Sequence, residues 1–149
     1  MVVIARSDIT GCMIARLRSF SELTALVGTT PPRVSAVLQD AWSMPTKAVI
    51  IRRAGGTPRA DDYTLGRLRT RFDVLCFGQN GLEADRVWAM VDAILVPAQG
   101  GVGGRTASFT LTGCRVDDIV PEGGPLADVD PGSGWPRVFA SYQVSWWSV

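Results

Sequence analysis

From Leu68 to Cys76 every second position is apolar or threonine (Leu68, Thr70, Phe72, Val74, Cys76), and three of the four residues between them are charged. A period of two marks a strand with one buried and one wet face, so Arg67–Phe77 is predicted as a strand. Gln79-Asn80-Gly81 breaks the run. Ala84, Val87, Trp88, Val91, Ile94 and Leu95 then recur at helical spacing, which predicts a helix over Leu82–Leu95. Asn80 and Glu83 have the spacing of a capping box, and Pro97 ends the pattern.

The same reading places a helix near the N-terminus. Ser7 or Asp8 caps it, and Ile9, Met13, Ile14, Leu17 and Phe20 form its apolar stripe. Ser19-Phe20-Ser21 loosens the pattern before Leu23, Leu26 and Val27 make a last turn, closed by Gly28 with a positive φ. Arg33–Leu38 and Ala48–Arg53 are predicted as strands, the second around the β-prone Val49-Ile50-Ile51. Ala107–Val116 is predicted as one strand, weakened or bulged at Thr112-Gly113, and Val138–Trp146 as a terminal strand. Three stretches rich in glycine and proline, 54–66, 98–106 and 121–136, are predicted as long loops, and the density of proline and glycine in the last excludes regular structure there. A helix laid on a sheet gives an α+β class, and 149 residues fit one domain, 1–149.

Charge changes this picture by its distribution rather than its sum. The formal charge is +1, yet residues 1–72 carry 11 basic and 5 acidic side chains and residues 73–149 carry 4 and 9. The halves are +6 and −5. Such asymmetry is either neutralised within the fold or used between subunits through complementary faces. The near-neutral sum gives no general attraction to nucleic acid or anionic membranes, and no apolar run approaches the roughly 20 residues of a membrane-crossing helix.

Composition argues against most catalytic designs. The chain has no histidine, which removes the commonest general base and metal ligand. Cys12, Cys76 and Cys114 are too far apart for CxxC spacing, and the first two fall on buried phases, as free thiols of a reducing compartment would. No serine sits in GxSxG, and the glycine clusters at 55–56 and 100–104 match neither a P-loop nor a dinucleotide fingerprint. Asp61-Asp62, Asp117-Asp118, and Asp128 with Asp130 are acidic pairs suited either to turns and basic neighbours or to a divalent cation. The expectation is therefore a protein that is not an enzyme and uses no cofactor or metal. The competing class is a small metal-dependent enzyme built on those aspartates.

Two constellations point to surfaces. Arg67, Arg69 and Arg71 share the wet face of one strand, either as a rail for phosphate or as an outer face balanced by acidic neighbours. No aromatics are interleaved with them, which weakens a DNA-binding module built on stacking. Trp146 and Trp147 are adjacent on a strand and point to opposite sides, so one of them is left for an interface or a covering loop.

The order of these features resembles the tail terminator (tail completion) proteins of long-tailed bacteriophages and phage-derived gene transfer agents. The resemblance rests on a helix ending Leu26-Val27-Gly28, then Arg33-Val34, then a strand Ala48-Val49-Ile50-Ile51 led by Pro45. It continues through the strand Arg71–Phe77, the helix Glu83–Leu95 and a closing Phe139-Ala140-Ser141-Tyr142-Gln143-Val144, so it covers nearly the whole chain. It implies two helices packed on a mixed, largely antiparallel sheet with long Gly/Pro-rich loops. It also implies a homo-oligomer, a six-subunit ring that caps the tail tube, stops its polymerisation and joins the tail to the head. The partners so implied are the tail-tube protein, the neck (stopper) protein on the head side, and DNA passing through the lumen without specific binding. No membrane is involved; the protein is expected in the host cytoplasm during assembly and then at the head–tail junction of the particle. By the same analogy the 54–66 hairpin, with Arg52, Arg53 and Arg59, approaches the tube or lumen. Interface candidates are thus Arg52, Arg53, Arg59, Arg67, Arg69, Arg71, Trp146 and Trp147. A neck stopper or head-completion protein is the alternative within the same ring logic.

Overall fold

The alternation between Leu68 and Cys76 builds the centre of the molecule. A computed structural model describes residues 8–28, 32–55, 67–97, 108–111 and 113–148. Its third strand, β3 (Arg67–Phe77), puts Leu68, Thr70, Phe72, Val74 and Cys76 into the core, all at most 7% exposed. β2 (Ala48–Gly55) flanks it antiparallel on one side and β6 (Pro136–Ser148) antiparallel on the other. β1 (Val34–Ser35) pairs with β2 in parallel, β5 (Cys114–Val129) pairs with β6, and β4 (Phe109–Leu111) with β5. The sheet order is β1-β2-β3-β6-β5-β4, mixed and largely antiparallel as expected.

Three helices occur among the described residues rather than the two expected. α1 (Ile9–Arg18) and α2 (Ser21–Val27) are separate because Phe20 is extended, at φ −95° and ψ 113°, while the Ser19 hydroxyl donates to the Arg16 carbonyl at 2.6 Å. A serine that bonds its own preceding turn competes with helix propagation. Gly28 closes α2 with φ 116°, as its position predicts. α3 (Gly81–Leu95) starts under the Asn80 cap, whose Oδ1 accepts from Glu83 N at 2.9 Å. Glu83 reaches back to the Gln79 N–H at 2.8 Å, one residue earlier than a standard capping box. Ile9, Met13 and Leu17 of α1, Leu23 and Val27 of α2, and Ala84, Val87 and Val91 of α3 meet the inward residues of the sheet in one core.

Three strand expectations are corrected, the first being Arg33–Leu38, of which only Val34–Ser35 is strand. Residues 107–116 do not form one bulged strand; the chain reverses between Leu111 and Cys114, with Gly113 at φ 81°, and β4 pairs back on β5. Only a residue free of Cβ strain sits easily at such a φ. Nor is 121–136 a loop. β5 runs on to Val129, paired with β6 through register shifts at Val116/Asp118, Pro121/Gly123 and Gly123/Leu126. Bulges absorb the residues that proline and glycine leave unpaired, and an edge strand tolerates proline because its outward N–H has no partner to lose. Beyond Val116 no described strand pairs with the outer side of β5. Only Asp130–Trp135 remains a turn. The predicted 54–66 loop gives Ala54 and Gly55 to β2; its remainder and 98–106 lie outside the described residues.

Gly124 tests the bulged strand. It holds φ 80°, and a Cβ there would lie 2.5 Å from the Phe139 carbonyl oxygen. Gly124→Ala is expected to cost about 1–3 kcal/mol through strain and steric clash. Amide exchange should accelerate at Leu126–Val129 before it does in β3; uniform acceleration would contradict an edge strand that opens locally.

Candidate assembly surfaces

The helices cover one face of the sheet, and the other is polar over half its length. Arg67, Arg69, Arg71 and Asp73 of β3 stand there beside Ser141, Gln143, Ser145 and Trp147 of β6. The arginine rail exists, but it is not a bare cationic strip. Arg71 Nε lies 3.8 Å from Asp73 and 3.8 Å from Glu122, and its Nη2 donates to Ser141 Oγ at 3.2 Å. Ser141 in turn donates to Asp73 at 2.8 Å. Arg67 lies 3.9 Å from Asp117, which Arg115 approaches at 3.4 Å. Acidic neighbours from β5 thus offset Arg67 and Arg71, two of the three arginines of the rail. Exposed pairs of this kind contribute little stability, ~1 kcal/mol or less each.

The two adjacent tryptophans separate as strand geometry requires. Trp146 is 3% exposed in the main core, and its Nε1–H donates to Thr70 Oγ1 at 3.0 Å. It is a core residue rather than a surface one. Trp147 is half-buried on the polar face, donates to Asp117 Oδ2, and lies under the Arg115 guanidinium, 5.1 Å from the ring centroid. Arg52 and Arg53 are exposed near the end of β2, with Arg52 opposite Asp73 in register. Arg59 lies outside the described residues.

The other half of this face carries a second, smaller core. Trp42, Ala48, Ile50, Leu75 and Phe77 pack together with Met44, Trp135 and Phe139, and Trp135 meets Phe77 edge-on at 6.4 Å. Above it opens a cleft of about 290 Å³, walled by Ala36, Val37 and Leu38 on one side and by Asp130 and Arg137 on the other, with Arg52 among its lining residues. Arg137 is fixed there by Asp128 at 2.8 Å and Asp130 at 3.2 Å. Hydrogen bonds from Ser133 hold the Asp130 carboxyl below its usual pKa. Three aspartates of the suspected cation pairs, Asp117, Asp128 and Asp130, are therefore committed to arginines, and Asp61-Asp62 lies outside the described residues. Among the described residues no group of three acidic or thiol side chains is arranged to hold a metal ion.

On the helix side, Trp88 and Asp92, one turn apart on α3, face Tyr142 across a cavity of about 250 Å³ roofed by Pro121, Gly123, Gly124 and Pro125. The Tyr142 hydroxyl donates to Asp92 Oδ1 at 2.7 Å. Burial, reinforced by that carboxylate, pushes the phenol pKa up; burial first and Asp92 second do the same to the Cys76 thiol. Both groups keep their protons at neutral pH, so neither is an activated nucleophile. Cys12, Cys76 and Cys114 are all buried free thiols.

Sequence reasoning missed the exposed apolar residues Val37, Leu38, Leu126 and Val129. The alternation Leu126-Ala127-Asp128-Val129-Asp130 was a strand signal, but the surrounding prolines and glycines outweighed it.

No family model matches the sequence, and no curated protein matches it. Among described residues no helix is long and apolar enough to cross a membrane. A solved structure does match: a chain in the virion of a native gene transfer agent (GTA) particle superposes with a TM-score of 0.63 at 16% identity, over 92% of this chain and 92% of that one. At that identity the likeness concerns the fold, and the fold of this protein is that of a chain of the particle.

Proposed function

We propose that the protein is a structural component of a phage-like particle: a tail terminator that forms a six-subunit ring, caps the tail tube and joins it to the head. The observation that carries this reading is the end-to-end likeness to a chain of a gene transfer agent virion, over 92% of both chains. An assembly role fits the surfaces as well. Among the described residues Asp117, Asp128 and Asp130 serve arginines, and Cys76 and Tyr142, with raised pKa values, are buried and protonated. On this reading the protein is a non-enzymatic subunit, made in the host cytoplasm and carried at the head–tail junction. Its partners are further copies of itself, the tail-tube protein and the neck protein. DNA passes through the lumen without being gripped, which the partly offset arginine rail favours over a dedicated DNA-binding module.

The test is tube growth. Purified protein added to polymerising tail-tube subunits should yield tubes of fixed length with a ring at one end in electron micrographs. Unlimited growth with no end-bound density would overturn the terminator assignment, and binding to portal complexes instead would favour the neck stopper.

A further inference from the structure

Of the five large apolar side chains exposed among the described residues, four fall into two groups. Val37 and Leu38, 61% and 40% exposed, follow β1 and wall the cleft on the open face. Leu126 and Val129, 58% and 57% exposed, lie where β5 pairs with β6 on one side and with no described strand on the other; three residues apart in an unbroken register, they point to opposite faces of the sheet. β1 and β2 form one side of the sheet, and β5 with β4 the other, so the two groups belong to opposite edges.

Charge divides along the same line. Residues 33–53 hold Arg33, Lys47, Arg52 and Arg53 against Asp40 alone. From Asp117 to Asp130 the chain holds five acids (Asp117, Asp118, Glu122, Asp128, Asp130) and no base. Arg67, Arg71 and Arg137 reach across, and Arg115 at the start of β5 joins them, to offset part of that charge. The outer edge of β5 is still the acidic side of the molecule, and the β1–β2 edge the basic one. The opposed charges of the two sequence halves are thus only partly neutralised inside one copy.

An apolar wall at one edge of the sheet and, at the other, an uncovered strand edge flanked by Leu126 on one face and Val129 on the other, with complementary charge, favour a contact between unlike surfaces of successive copies, the kind that propagates and can close into a ring. A strand exposed on both faces and along one edge is also a surface that gains from being covered. We infer that the β5 edge around Leu126 and Val129 of one copy seats against the Val37–Leu38 wall and Arg52 of the next copy, head to tail. This deepens the ring reading and rests on it for the number of copies, but the contact itself does not depend on the tail.

Two single variants, Val37→Cys and Leu126→Cys, test it with a short bis-maleimide linker; the native thiols are buried and give little background. At high protein concentration the 1:1 mixture should yield covalent dimers, whereas each variant alone should yield none above background. The yield should fall with added salt and with Arg52→Glu in the Val37→Cys partner. Dimers from Leu126→Cys alone would mean a like-with-like contact and overturn the inference, as would no linking in the mixture while far-ultraviolet dichroism shows both variants folded. Tube arrest separates the two readings. Linking without arrest leaves the contact standing and removes the terminator role; arrest without linking does the reverse.

Discussion

Trp146→Ala should lose roughly 3–5 kcal/mol of folding stability in urea titrations, the range for truncating a large buried aromatic. Trp146 is 3% exposed between Leu68 of β3 and Val116 of β5, its register partners, so its removal opens a cavity where three strands meet. It also takes the indole N–H from Thr70 Oγ1, which is 1% exposed and remote from solvent. For a chain of this length the loss corresponds to about 2–4 °C of Tm per kcal/mol. Trp147→Ala should cost about 1–2 kcal/mol, because its ring is half-buried and its partners, Asp117 and Arg115, remain hydrated. Ring formation and tube capping should suffer more than folding in Trp147→Ala if that face meets a neighbour. Equal stability losses in the two variants would contradict the assignment of opposite faces.

Stability should be flat through neutral pH and fall steeply in alkali. Tyr142 and Cys76 both have folded-state pKa values raised above their ordinary values of 10.0 and 9.0. A raised pKa means that the native state holds its proton more tightly than the unfolded chain does. The resulting stability is fully present below the ordinary value and is lost as pH rises above it toward the folded pKa. In the window above pH 9 for the thiol and above pH 10 for the phenol, each group should cost about 1.4 kcal/mol per further pH unit. Tyr142→Phe should start about 1–3 kcal/mol lower, because Asp92 loses its donor. Its slope above pH 10 should be shallower by the share that the phenol contributes. A wild-type urea midpoint unchanged between about pH 8 and pH 11 would show that neither group is protected from ionisation.

Periodicity carried the elements whose burial is one-sided and continuous. β3, α3 and β6 were legible because each keeps a single apolar phase along most of its length, and local chemistry marked the ends of α3 at Asn80 and Pro97. The break at Ser19-Phe20 was legible as a weakening but not as a second helix, since the decision lay in the extended backbone of Phe20. β5 was misjudged for a physical reason. Proline and glycine disfavour a strand by local propensity, yet β6 offers a ladder to pair with, and bulges accommodate the misfits. The surface candidates fared unevenly. The arginine rail was visible in the sequence, but its acidic partners came from β5, some 50 residues downstream by the numbering of Arg67–Asp117 and Arg71–Glu122.

By itself the sequence determined the α+β class, the composition of the main core, the absence of histidine chemistry and the separation of charge between the two halves. All are consequences of local pattern and count. Tertiary structure decided which of two adjacent tryptophans is core, which carboxylates neutralise which arginines, and where apolar side chains stay uncovered. Those outcomes depend on strand order and register between distant segments. Pairing of that kind is settled by the energy of the assembled sheet, to which no short stretch of chain has access.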